Sequence, residues 1–132
     1  MRVLYMDQWT AKTAKENPTW LFLFGDNDKG VGKKGQALLR GQPNAVGIPT
    51  KKTARLYSSA FYTDEEYETN CKKITDALAH ADDVLQQGNY EAIVLSSGGL
   101  GTGLAQLDQR APRTFAFLGM VMDDWIQAHL GV

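Results

Sequence analysis

Two glycine-rich runs and a pair of lysines hold the residues of this chain that could do chemistry. The first run is Gly25-Asp26-Asn27-Asp28-Lys29-Gly30-Val31-Gly32-Lys33-Lys34-Gly35-Gln36, and the second is Ser97-Gly98-Gly99-Leu100-Gly101-Thr102-Gly103. Glycine accepts positive φ, so such runs fold readily into concavities lined by backbone N–H groups, which suit a phosphate-bearing ligand. In the second run consecutive N–H groups can converge on a diphosphate, and Thr102 adds a hydroxyl donor. In the first, Asp26 is an acceptor for an adenine amino group or a ribose, and Asn27 can both donate to and accept from a ribose diol. A turn-forming role competes with these, most evenly for Asp28. Lys51 and Lys52 follow Ile48-Pro49-Thr50. A strand-end lysine facing phosphates is an electrostatic anchor; desolvated or beside another cation, it becomes a nucleophile toward an anomeric carbon. The competing reading is a solvated lysine pair.

The six residues Gly30 to Gly35 match G-x-G-x-x-G literally, yet they do not form a dinucleotide-binding fingerprint. Five residues separate Phe24 from Gly30, the helix that follows is short, and no acidic residue closes a second strand at the required distance. No Gly-Lys-Ser/Thr occurs either, which excludes a P-loop.

These residues need elements to position them. Trp20 to Phe24 is an unbroken apolar run and reads as a buried strand that delivers the first loop. Glu91 to Ser96 reads as a second buried strand that delivers the other. Arg2 to Met6 and Ala45 to Ile48 read as further short strands, the latter leading through Pro49 to Lys51. Asp7 to Asn17 suits a short helix closed by Asn17-Pro18, and Gln36 to Arg40 suits another stopped by Gly41 and Pro43. Thr63 and Glu66 have capping-box spacing ahead of Tyr67, Cys71, Ile74, Leu78, Ala81 and Leu85, which share one helical face up to Gly88. Cys71 falls on this stripe and reads as a small core residue. Ala111 to Leu130 forms the last helix, with Pro112 in its first turn. There Phe115, Leu118, Met122, Trp125 and His129 share a face, so His129 reads as structural, and His80 as solvent-exposed.

Strands alternate with helices, which implies an α/β layered fold. In such sheets ligands gather at the carboxyl ends of the strands, where both glycine loops emerge. The 132 residues suit one domain. Fourteen basic against fifteen acidic residues argue against broad nucleic-acid or membrane-surface binding. A single cysteine, Cys71, excludes an intrachain disulfide and a cysteine-based zinc site. No metal or cofactor is expected. Met1 to Gln8 lacks the apolar run of a signal peptide, and no stretch approaches membrane-spanning length, so the expected compartment is a reducing cytoplasm.

Three segments together resemble the macrodomain superfamily: the strand leading into Gly25-Asp26-Asn27, the segment Ile48-Pro49-Thr50-Lys51, and Gly101-Thr102-Gly103-Leu104-Ala105-Gln106-Leu107. The likeness is greatest to the terminal ADP-ribose glycohydrolase-like branch, which includes antitoxins that remove ADP-ribose from DNA, and to small macrodomain-like proteins of phages and bacteria. It implies a three-layer fold with a mixed central sheet flanked by helices. It also implies a cleft for ADP-ribose or an ADP-ribosylated macromolecule, with nucleic acid entering only as a modified substrate. Adenosine would lie near Asp26, the diphosphate on Ser97, Gly98, Gly99, Leu100, Gly101, Thr102 and Gly103, and the distal ribose near Asn27, Gly30, Gly32, Lys33 and Gly35. Lys51 would be the nucleophile at the ribose C1″. That branch places an aspartate where Ala105 stands here; Asp108, three residues on, is the substitute candidate beside Lys51 and Asn27. A missing acid costs about 10²–10⁴-fold in rate, which tilts the reading toward binding or a different hydrolytic arrangement. The alternatives are a non-catalytic nucleotide-signal sponge of the phage anti-defence kind, and a ligand-free interaction domain displaying Trp9, Trp20, Tyr57 and Phe61.

Overall fold

A computed structural model describes residues 1–32 and 34–130. Lys33, expected in the ligand wall, lies outside the described residues. The elements run β1 (Arg2–Met6), α1 (Ala11–Glu16), β2 (Trp20–Asn27), a 3-10 turn (Gly35–Leu39), β3 (Ala45–Lys51), α2 (Tyr67–Gln87), β4 (Ala92–Ser96), α3 (Leu107–Arg110) and α4 (Pro112–Leu130). The four strands form one sheet in the order β1-β4-β2-β3, and every neighbouring pair is parallel. This corrects the expected mixed sheet. Each strand is joined to the next by a crossover that returns the chain to the same end of the sheet, as parallel pairing demands. Lys51, the last residue of β3, also makes an isolated antiparallel bridge with Phe61.

Alternation along the central strands splits the core in two. Leu21, Leu23, Ile93 and Leu95 pack with Ile74, Leu78, Leu118 and Trp125 of α2 and α4. Phe22, Phe24 and Val94 face the other way, against Trp9, Ala14 of α1 and Leu39 of the 3-10 turn. Both faces of the sheet are thus covered, which is why β2 and β4 read as continuous apolar runs. No helix among the described residues is long and apolar enough to cross a membrane.

The start of α2 differs from the capping-box expectation. Thr63 makes no side-chain cap, residues Asp64–Glu66 form a 3-10 turn, and α2 begins at Tyr67. Asp64 instead caps α4. Its carboxylate accepts from the N–H of Arg113 (2.8 Å), the N–H of Thr114 (3.0 Å) and the Thr114 hydroxyl (3.0 Å). Ala111, which precedes α4, has no side-chain acceptor, so the orphan donors of that helix are met from a distant segment. At the far end Asp82 of α2 accepts from Trp125 Nε1 (2.8 Å) and pairs with His129 Nε2 (3.0 Å), so His129 joins the two helices as expected.

Candidate functional site

β2 extends past its apolar run to include Gly25, Asp26 and Asn27. The sequence break at Gly25 is therefore a change of side-chain chemistry within one strand. Asp26 is half-buried and ion-paired with Arg40, whose guanidinium also donates to the carbonyl of Gly32. Arg40 ends the segment that begins with Gln36, and nothing in its local sequence marks it as the partner of Asp26. Gly47 makes the pair possible: a Cβ there would lie 2.6 Å from Asp26 Oδ2, too close for any side chain. Asn27 folds its own loop. Its Nδ2 donates to the Val31 carbonyl (2.8 Å) and its Oδ1 accepts from the Lys29 N–H (3.1 Å). Gly30 adds a bond to the Asn27 carbonyl (3.1 Å). Asp28 accepts from the Tyr62 hydroxyl (2.5 Å) and pairs with Lys73 (2.7 Å). Burial first, then that hydrogen bond, holds the Tyr62 hydroxyl far above its usual range.

The two glycine loops meet. Gln36 is the bracket: its Oε1 accepts from the Gly25 N–H (2.9 Å) and its Nε2 donates to the Gly99 carbonyl (2.9 Å). Leu100 Cδ2 lies 3.8 Å from where a Cβ on Gly25 would stand, and Leu104 Cδ1 lies 3.7 Å from the same point on Gly35. Within the second loop, the Ser97 N–H bonds the Met6 carbonyl (2.9 Å) and the Ser97 hydroxyl reaches Asp7, tying the loop to the end of β1. Gly98 and Gly99 donate back to Ser96, while the Thr102 hydroxyl donates to the Gly98 carbonyl (3.2 Å). Gly101 is buried at φ +86°, and a Cβ there would meet Leu107 at 2.9 Å, so only glycine fits. Among the described residues none accepts a hydrogen bond from the N–H groups of Leu100, Gly101, Thr102 or Gly103.

Lys51 is placed by an irregularity. Asp26 pairs with Pro49 and Asn27 with Lys51, so Thr50 is the extra residue of a β-bulge. The bulge turns two successive residues inward, and Thr50 and Lys51 are both buried. Lys51 Nζ donates to the Arg55 carbonyl (2.6 Å) and lies 4.5 Å from the centroid of the Phe61 ring. Burial, then the nearby Arg110 charge, lowers the Lys51 amine from its usual range. The solvated-pair reading therefore fits Lys52 alone, which pairs with Glu66. Asp108 is exposed on α3 and forms no hydrogen bond or ion pair with Lys51. Trp9 and Phe61 are buried, Trp20 is partly buried and only Tyr57 stands exposed, so the four aromatics do not make one apolar surface.

A cavity of about 570 Å³ opens beside β3, lined by Asp26, Asn27, Asp28, Gly47, Pro49, Lys73 and Asp76. Neither Lys51 nor the Gly98–Gly103 loop lines it. Among the described residues no group of three or more His, Cys, Asp or Glu could hold a metal ion.

No curated protein and no solved structure matches the chain. Residues 4–120 match the profile of a family described as a family of unknown function (DUF7831), and the chain belongs to that family.

Proposed function

We propose that the chain binds ADP-ribose or a related ADP-ribosyl nucleotide, in the manner of a macrodomain, between its two glycine-rich loops. The observation that carries this reading is the junction made by Gln36, which holds the end of β2 against the loop leaving β4. Four consecutive N–H groups there, from Leu100 to Gly103, are uncommitted among the described residues and suit a diphosphate. The cavity beside Asp26 has the volume of a nucleoside site. Asp26 enters it already neutralised by Arg40, so its acceptor oxygens would serve hydrogen bonding to the adenosine half rather than charge. Titration calorimetry with ADP-ribose, NAD and ADP tests the reading. Binding of ADP-ribose is expected, and ligand at 100 times its dissociation constant should stabilise the fold by about 2.7 kcal/mol. No heat with any of the three at millimolar concentration would refute it.

One observation favours a hydrolytic version of the same site. Lys51 is buried, lacks a carboxylate partner among the described residues, and has its amine pKa lowered, as a nucleophilic lysine requires. Attack of the neutral Lys51 amine on the ribose C1″ would form a C1″–N bond as the bond from C1″ to the macromolecule breaks, the macromolecule leaving unmodified and taking up the proton that the amine gives up; water would then displace the lysine at C1″, freeing ADP-ribose and the amine. Wild-type and Lys51→Ala proteins incubated with ADP-ribosylated DNA or protein separate the two versions. Equal release by both would remove Lys51 from the chemistry.

A further inference from the structure

We infer that Lys51 and Arg110 act together, across the Phe61 ring, as the cationic clamp for the ligand's diphosphate. The inference rests on the nucleotide-binding reading above and adds to it a residue from outside both loops. The Gly98–Gly103 loop offers neutral donors and no positive charge. A diphosphate bound there would keep two negative charges that backbone N–H groups alone do not neutralise.

The structure links two cations to the element that follows that loop. Leu107, the first residue of α3, donates its N–H to the Gly101 carbonyl (2.7 Å). The loop and the short helix are therefore one unit, and Arg110 closes it. The Arg110 guanidinium carbon lies 3.8 Å from the Phe61 centroid, and Lys51 Nζ lies 4.5 Å from the same centroid. Arg110 is fixed by a bond from Nε to Gln106 Oε1 (2.8 Å), which leaves its two terminal nitrogens for a ligand. Lys51 uses one of its three donors, on the Arg55 carbonyl.

Neither cation has a carboxylate partner among the described residues. The contrast with their surroundings is sharp: Arg40 is paired with Asp26, Lys52 with Glu66 and Lys73 with Asp28. Two like charges drawn to one buried ring repel each other, and the ring's cation–π attraction offsets only part of that cost. The β-bulge at Thr50 is what brings Lys51 to this position. A dianion resolves the repulsion and satisfies the remaining donors at once. The charge on Arg110 that lowers the Lys51 amine is the same repulsion seen from the lysine.

The test compares wild type, Arg110→Gln and Arg110→Lys with two probes, ADP-ribose by calorimetry and inorganic pyrophosphate by NMR of the arginine Nε–H and lysine Nζ signals. Arg110 is exposed, so each variant should fold, and thermal melting is the check. Arg110→Gln should weaken ADP-ribose by about 10- to 100-fold, the loss expected for charged hydrogen bonds. Arg110→Lys should recover part of that loss. Pyrophosphate should shift both the Lys51 and Arg110 signals in wild type, and the Lys51 signal much less in Arg110→Gln. If wild type ignores ADP-ribose but pyrophosphate still moves both signals, the ADP-ribose reading falls and the clamp stands. If pyrophosphate moves neither, or if Arg110→Gln binds either probe as tightly as wild type, the clamp is refuted.

Discussion

Asp64→Ala should destabilise the fold by about 2 kcal/mol and lower its melting temperature by about 7 °C. The Asp64 carboxylate takes three donors from the first turn of α4, two of them from Thr114, which is fully buried. Loss of an N-cap costs about 1 kcal/mol, and a buried donor left without an acceptor costs about as much again. The Thr114 hydroxyl also accepts from Asn70 Nδ2 (3.1 Å), so the cap is the outer end of a chain joining the starts of α2 and α4. Burial by itself would raise the Asp64 carboxyl, but the donors of Arg113 and Thr114, with the Arg113 charge, outweigh it and hold the group below its ordinary value. A carboxyl depressed on folding stabilises in full above its unfolded pKa, and that contribution is lost as pH falls through the folded value. The gap between wild type and Asp64→Ala should therefore be complete at pH 7 and shrink below about pH 4. Asp64→Asn keeps one acceptor and should cost about half as much. Denaturant unfolding at pH 7, 5 and 3 measures all of this. A penalty under about 0.5 kcal/mol at pH 7, or one that does not change with pH, would show that α4 does not depend on this carboxylate.

Three further outcomes follow from the site. Gln36→Ala removes both bonds that bracket the glycine loops, and should cost about 1–2 kcal/mol while speeding amide exchange at Gly25, whose N–H loses its acceptor, and at Gly99; unchanged exchange would mean that the loops hold each other without it. Gly47→Ala drives a methyl group into the Asp26 carboxylate and should cost about 1–3 kcal/mol through the lost Arg40 pair; a melting temperature equal to wild type would refute that account. Lys51→Met exchanges a buried charge for an apolar side chain of similar length, so it should stabilise the apo protein at pH 7 by about 1 kcal/mol and abolish ligand binding. The sign has a pH signature. Arg110, the Phe61 ring and the Arg55 carbonyl face the Lys51 amine, whose pKa is lowered on folding. Wild-type stability should therefore rise as pH climbs from the folded value of that amine toward its unfolded one, and Lys51→Met should lack that rise.

The strands and the two long helices were legible because their signals are local. Five apolar residues in a row at Trp20 to Phe24, or Ile74, Leu78 and Ala81 on one helical face, report burial within a few residues of chain. The positions of both glycine loops and of Lys51 at strand ends were legible for the same reason. What each polar group would touch was not. Thr63 and Glu66 have a spacing that suits a local cap, but the residue that caps is Asp64 between them, and its partners are about fifty residues away, at a helix whose own cap position is alanine. Asn27 looked free for a ligand and is occupied by its own loop.

By itself the sequence determined the α/β class and the extents of β2, α2 and α4 to within a few residues, and it located the two glycine runs. Hydrophobic period and glycine's conformational freedom are properties of short segments, so they can be read without neighbours. Only the tertiary structure decided that the sheet is parallel in the order β1-β4-β2-β3, that Gln36 joins the two loops, that Arg40 neutralises Asp26, and that a bulge at Thr50 turns Lys51 toward Arg110 and Phe61. Those outcomes depend on strand register and on charges brought together from distant segments, and both are set by packing across the whole chain rather than by any window of it.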